Sequence, residues 1–346
     1  MSSASVRVEI DGEKKAEAGR RIRRSPWIFI LTGLMIAGGF FFPSKGVSAG
    51  AFSIAGDDTI IDQAGRKIPV SRPFSRILSL YGAHTENLFA LNLSEEIIGV
   101  SRNEVYPPEA AKKPAFSYRE DPEKFLVARP DLVLIRPMID RAYPRLIQRL
   151  EQCGITVVSL QPGDVPQMYT YWEILGVLTG RKAAARKMIR NFKAQVNRIR
   201  AVTVPIPSKQ KIYFEAIHRQ MKTFAPDAMA VFALETAGGV NVAADAVPVR
   251  NTNIAFYGKE RILSKGDEID AFIAQSGAMN RPSQEMIRNE PGFSAVKAVR
   301  EGRILIVPEE IVSRPTPRLL EGIHVIGRFL YPEIFNTLDM EKGGTH

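Results

Sequence analysis

Short runs of β-branched, aliphatic and aromatic residues recur along the chain, at residues 76–80, 97–100, 132–135, 155–159, 211–216 and 303–307. Runs of this length with little polar interruption predict strands covered on both faces. The segments between them space their apolar residues as helices do, over residues 87–91, 108–112, 143–153, 166–178, 181–201, 227–237, 293–301 and 318–331. Residues 57–70 read as an edge hairpin turning at Ala64-Gly65. Strands alternating with helices imply parallel sheets with helices on both faces.

One stretch repeats. Residues 121–135 read as a short helix with Glu123 in its first turn, a Pro130-Asp131 break and a buried strand. Residues 260–273 follow the same plan, with Glu260 opening the helix and Gly266-Asp267 at the break. Phe232-Ala233-Leu234 echoes Phe89-Ala90-Leu91, and residues 238–242 answer 98–100. Four matched elements in the same order predict two similar lobes. The predicted divisions are an N-terminal lobe at 50–165, connecting helices at 166–207, a C-terminal lobe at 208–335 and a tail at 336–346. Within the connector, Met188, Ile189, Phe192, Val196 and Ile199 fall on one helical face of residues 181–201. Such a helix spans about 30 Å and suits a strut between lobes; a helix packed on one domain is the other reading.

The first 49 residues differ from the rest. A basic cluster at residues 20–24 precedes 16 uncharged residues, 27–42, and then the small-residue site Val47-Ser48-Ala49. This is the layout of a secretory signal peptide cleaved after Ala49; retention of the segment as an uncleaved anchor is the alternative. The mature chain is therefore expected in the periplasm or on the extracytoplasmic face. Of the formal charge of +10, residues 1–49 hold eight Lys/Arg against four Asp/Glu, which leaves +6 for the remainder. That surplus suits an anionic ligand or an ordinary basic surface. Basic runs interleaved with aromatics are missing from the mature region, so nucleic acid has no support as a partner. Cys153 is the single cysteine, which rules out an intramolecular disulfide and a Cys-rich metal site.

Several segments together resemble the periplasmic binding proteins for iron-siderophores, haem and cobalamin, the substrate-binding subunits of ATP-binding-cassette (ABC) importers. They are residues 76–80, 86–91, 98–100, 106–110, Glu123 with 128–133, and 154–158. The resemblance covers residues 72–335 and is looser in the second half. It implies two Rossmann-like α/β lobes with central parallel sheets, joined by one long helix, with the ligand in the cleft between them and little hinge motion. It further implies that one surface glutamate on each lobe, here Glu123 and Glu260, docks into arginine pockets on an ABC permease dimer. Two such carboxylates can each accept paired hydrogen bonds from a guanidinium, or can simply favour the helix N-terminus.

In parallel sheets ligands lie beyond the carboxyl ends of the strands, which makes residues 81–85, 101–106, 117–120, 136–143 and 161–164 expected cleft-wall loops. Candidate ligand-binding residues are Tyr81, His84, Tyr106, Tyr118, Arg119 and Arg136 on the first lobe, with His218, Arg219, Arg250, Met279, Asn280 and Arg314 on the second. His84 and His218 each follow the first strand of a lobe and are expected to face one another across the cleft. Two histidines are fewer than a bare-metal site uses, so neither a resident metal nor another cofactor is expected. Arginines suit an anionic iron-siderophore, whereas Tyr and Met surfaces suit a corrin or haem ring. The leading reading is a binding component for a metal chelate, not an enzyme. A chelatase-like two-lobed enzyme would need an acid/base site, and its candidates Glu104, His84 and His218 have no recognisable spacing. A membrane-anchored sensor would need residues 27–42 retained.

Overall fold

The structure, a computed structural model, describes residues 51–102, 104–249 and 252–343. The predicted signal segment and Arg250 lie outside these. Strands β1 (Ser53–Ala55), β2 (Thr59–Ile61) and β3 (Lys67–Pro69) form a small antiparallel sheet. The β2–β3 hairpin turns at Gly65, whose φ of 81° places it in the left-handed region.

The first lobe is built on β4 (Ile77–Ser79), β5 (Ile97–Ser101), β6 (Ala115–Phe116), β7 (Leu132–Ile135) and β8 (Thr156–Ser159). All pairs are parallel, in the order β6-β5-β4-β7-β8. Its helices are α1 (Gly82–Ala90), α2 (Pro122–Ala128), α3 (Pro137–Ala142) and α4 (Pro144–Gln152). Helix α2 ends at Arg129, which is left-handed (φ 50°). The proline that follows disfavours right-handed helix at that residue. Two expected cleft loops are in fact helical. Residues 82–85 are the first turn of α1, and residues 137–142 form α3, which Pro137 opens at a position where its missing N–H costs nothing.

Two helices then connect the lobes, α5 (Val165–Leu178) and α6 (Lys182–Thr203). The 22 residues of α6 correspond to about 33 Å. Ala185, Ile189, Phe192 and Val196 pack into one core with Trp172 and Leu175 of α5, whereas Ile199 packs into the core of the second lobe. The helix therefore contributes side chains to both cores.

The second lobe contains β9 (Lys211–Ile217), β10 (Lys222–Phe224), α7 (Met229–Thr236), β11 (Val240–Asn241), β12 (Val247–Pro248) and β13 (Ile254–Phe256). There follow α8 (Lys259–Ser264), β14 (Ala271–Ser276), α9 (Gln284–Arg288), α10 (Lys297–Arg300), β15 (Ile304–Pro308) and α11 (Glu309–Val312). Helices α12 (Leu319–Leu330) and α13 (Pro332–Gly343) close the chain, so most of the expected tail is helical. Strands β11, β9, β14 and β15 lie parallel in that order, as β5, β4, β7 and β8 do in the first lobe. The difference is an antiparallel set, β12-β13-β10, added to the edge of β9. Strand β11 takes that edge at Lys211 and Ile212, and β10 takes it at Glu215 and Ile217. The second sheet is thus mixed rather than purely parallel. Strands of two or three residues leave no readable period, which is why the sequence did not disclose them.

Candidate ligand-binding cleft

The floor between the lobes is organised by the loop that follows α11. The carbonyl of Pro315 accepts from Asn87 Nδ2 (3.0 Å) and from Trp172 Nε1 (3.1 Å), both buried. Ser313 Oγ donates to Gln275 Oε1 at 2.7 Å on the second lobe. Held from both sides, the loop lays Arg314 over the start of α1. Arg314 Nη1 donates to Glu86 Oε1 at 2.8 Å and lies 3.8 Å from Glu104 Oε2. A Cβ on Gly82 would stand 2.3 Å from Arg314 Nη1 and 2.8 Å from Glu104 Oε2, so any larger residue there must displace the Arg314 tip. Arg318 Nη1 is 3.7 Å from Glu86 Oε2, and its guanidinium lies 4.0 Å from the centre of the Tyr106 ring.

The electrostatics follow from burial. Glu86 and Glu104 are nearly inaccessible, and desolvation pushes both carboxyls up against the opposing pull of Arg314. Glu309 is pushed up by burial and then by its neighbour Glu310, with Arg314 and Arg136 opposing. Burial works against the charge of Arg314, but Glu86 and Glu104 outweigh it and the guanidinium is held more firmly protonated. Glu86 Oε2 and Glu104 Oε2 accept no hydrogen bond. The floor therefore holds acceptors whose full bonding capacity is unused, beside a guanidinium already committed to Glu86.

Among the sequence candidates, Tyr81, Tyr106, Arg136 and Arg314 come together here. Arg136 stacks on Tyr81 at 5.0 Å, and burial pushes the Tyr81 phenol up, with Arg136 and Arg314 opposing. Tyr118, Arg119 and Tyr143 form their own group on the first lobe, with the tyrosine rings 4.8 Å apart and Arg119 5.8 Å from Tyr118. Met279 is 67% exposed and Arg219 is exposed, with neither brought to the floor cluster by a contact.

The histidine expectation is corrected. His84 is fully buried inside α1's packing: Nε2 donates to the Ile135 carbonyl (3.0 Å), so Nδ1 accepts from Tyr171 Oη (2.6 Å). Desolvation drives it down to about 4, so the ring is neutral. His218 lies within its own lobe, with Nδ1 2.9 Å from the buried Glu215 and Nε2 3.6 Å from Glu290. Its pKa is raised, first by Glu215. The two rings do not face each other across the cleft. Asn280 is also a packing residue, accepting from the His218 backbone N–H (3.0 Å) and donating to the Gln275 carbonyl (2.9 Å). Among the described residues no group of three or more His, Cys, Asp or Glu is arranged to hold a metal ion.

Glu86, Glu309 and Arg318 are floor residues that the sequence did not single out. Arg318 lies four residues beyond the candidate Arg314 in the same loop. On the outside, Glu123 and Glu260 occupy the first turns of α2 and α8 and are exposed.

The model of the periplasmic binding protein family matches residues 77–311. The chain is 25% identical over 282 residues to the uncharacterized ABC transporter substrate-binding lipoprotein YvrC of Bacillus subtilis, covering 80% of this chain and 86% of that one. It is 24% identical over 264 residues to a vitamin B12-binding protein of Vibrio cholerae, covering 75% and 90%. A possible iron-binding (periplasmic solute-binding) protein from Staphylococcus epidermidis has a crystal structure that superposes with a TM-score of 0.66 at 27% identity, covering 75% of this chain and 100% of that one. With its two α/β lobes and a connecting helix packed into the cores of both, and with a family model matching residues 77–311, the chain belongs to the periplasmic binding protein family.

Proposed function

We propose that this protein is the substrate-binding component of an ABC importer, capturing a metal chelate between its lobes and delivering it to a permease dimer through Glu123 and Glu260. The observation that carries the reading is the floor itself. Arg314 of one lobe meets Glu86 and Glu104 of the other, flanked by Tyr81, Tyr106, Arg136 and Arg318. Guanidiniums and phenol faces suit the anionic oxygens and flat ligand groups of an iron-siderophore. The carboxylate oxygens with unused capacity suit amide or hydroxyl donors on the same molecule. A second reading, cobalamin or haem, is favoured by the similarity to a vitamin B12-binding protein and by the exposed ring of Tyr106. The likeness to ABC substrate-binding proteins supports delivery to a permease outside the cytoplasmic membrane.

The test uses residues 50–346, in which Trp172 is the single tryptophan and is bonded to the loop that carries Arg314. Ferric catecholate and hydroxamate siderophores, haem and cyanocobalamin are titrated separately while Trp172 emission is followed. One of them is expected to saturate below micromolar concentration. If none binds, the proposal is wrong. Changing Glu123 and Glu260 together to Ala is expected to abolish uptake and leave affinity intact; loss of affinity instead places them in the site.

A further inference from the structure

We propose that the exposed flank of α6 is a membrane-contact surface, which takes the anionic headgroups of a phospholipid leaflet by charge alone. The inference is independent of the ligand in the cleft and of Glu123 and Glu260. It starts from where the charge lies. Residues 50–346 carry a surplus of +6, and α6 by itself holds seven Lys/Arg and no Asp/Glu. All the other residues of that stretch therefore net −1, so its basic character is that of one helix. Ala185, Ile189, Phe192, Val196 and Ile199 form the buried face of α6. One residue past four of these stand Arg186, Arg190, Lys193 and Arg200, all exposed, on a flank about 100° further round the helix. Lys187 adjoins them and is exposed too. From Arg186 to Arg200 the row runs about 21 Å.

On other surfaces, cations meet acids. Lys211 pairs with Glu268, Lys259 with Glu290, Arg261 with Asp245 and Lys297 with Asp270. Even at the head of α6, Arg181 and Lys182 pair with Glu96 and Asp58. The row beyond them is different. Among the described residues, the side chains of Arg186, Lys187 and Arg190 have no hydrogen-bonding or ion-pair partner. Lys193 and Arg200 lie over the rings of Tyr169 (4.4 Å) and Phe232 (5.4 Å), and Arg200 is also felt by Glu235. Stems laid on apolar surface with their charged heads in water keep the positive charge facing outward.

Two features favour a leaflet over a protein as the partner. Between residues 183 and 200 the exposed side chains are those of Ala, Asn, Lys and Arg. A protein interface draws its affinity from aromatic and aliphatic anchors at its centre, and this flank offers none. The apolar face of α6 is committed to the two cores, so the helix cannot sink into a bilayer, and attraction at the surface is what remains. A straight row of cations matches a plane of anionic headgroups, and each adds an attraction that fades within a Debye length. A basic helix of this kind is a common membrane-surface element. Weak, reversible attraction would concentrate the protein at a membrane that holds an importer.

The test uses residues 50–346, which keep every described residue and omit the basic cluster at 20–24. Flotation is measured with vesicles of equimolar phosphatidylglycerol and phosphatidylcholine, and with phosphatidylcholine alone, at low and high salt. The protein is expected to float with the anionic vesicles at low salt and to be released at high salt. Arg186→Gln, Lys187→Gln and Arg190→Gln together should weaken that binding roughly a hundredfold, at about fivefold per charge. Thermal unfolding should stay unchanged, since glutamine is a good helix former and the three side chains hold no partner. Arg141→Gln, Arg145→Gln and Arg149→Gln remove the same charge from α3 and α4 and should weaken binding far less. Equal loss in the two triple variants means attraction by overall charge and overturns the inference. So does binding that survives high salt, or wild-type protein that ignores the anionic vesicles, as a flank built for an acidic protein would.

Discussion

Replacing Arg314 by Met tests whether the interlobe floor is an electrostatic joint. The side chain of Glu86 is 2% exposed and that of Glu104 is 4% exposed, and both face the 16%-exposed Arg314. Removing one partner of a buried pair costs about 3–5 kcal/mol when the charge left behind stays ionised. Burial has already raised both carboxyls, and the loss of Arg314 raises them further. A carboxyl whose folded pKa is raised favours the folded state below its unfolded value, and that contribution is lost as pH rises through the folded value. The deficit of Arg314→Met therefore grows with pH. It should be about 1 kcal/mol near pH 4, where both groups carry protons and a hydrogen bond is the main loss. Toward pH 8 it should reach about 3–5 kcal/mol. Each further unit of displacement in the variant adds about 1.4 kcal/mol. The assay is urea unfolding at a series of pH values, read by Trp172. A deficit that stays constant across the range, or none at all, refutes the reasoning.

Three other substitutions have definite outcomes. His84, ordinarily near 6.5 and held at about 4, makes the fold acid-sensitive: stability is present above the unfolded value and lost as pH falls, by about 3 kcal/mol in full. His84→Gln should flatten the stability profile over that window, whatever its cost at neutral pH; an unchanged slope would contradict the assignment. Gly82→Ala places its Cβ against the tip of Arg314. Because that tip can swing away, the variant should fold, lose less stability than Arg314→Met, and shift both Trp172 emission and ligand affinity. Gly327→Ala drives a Cβ to 2.0 Å from Phe335 Cζ, inside the packed α12–α13 corner, and should lower stability in chemical denaturation by about 1–3 kcal/mol.

The same residues suggest how binding is read at the surface. The loop at 313–316 is bonded to Asn87, Trp172 and Gln275, so a ligand that draws Arg314 from Glu86 acts on a joint shared by both lobes. Helix α6 packs into both cores as well.

What the sequence determined by itself is what local chemistry decides. A run such as Leu132–Ile135 has no polar face to offer solvent, so it is a two-sided buried strand wherever it lies. The periodic face of α6 marks it as a long packed helix, and the first-turn positions of Glu123 and Glu260 follow from the break residues around them. The tertiary structure alone decided the site. Arg314 and Glu86 are 228 residues apart, and no periodicity links them. His84 reads as a cleft residue until α1 begins at Gly82 and turns it onto Tyr171 and Ile135. The β12-β13-β10 addition is stabilised by its pairing with β9, not by any pattern of its own. Local preference acts over one turn or one strand, whereas the floor exists because two lobes bring the buried Glu86 and Glu104 against Arg314.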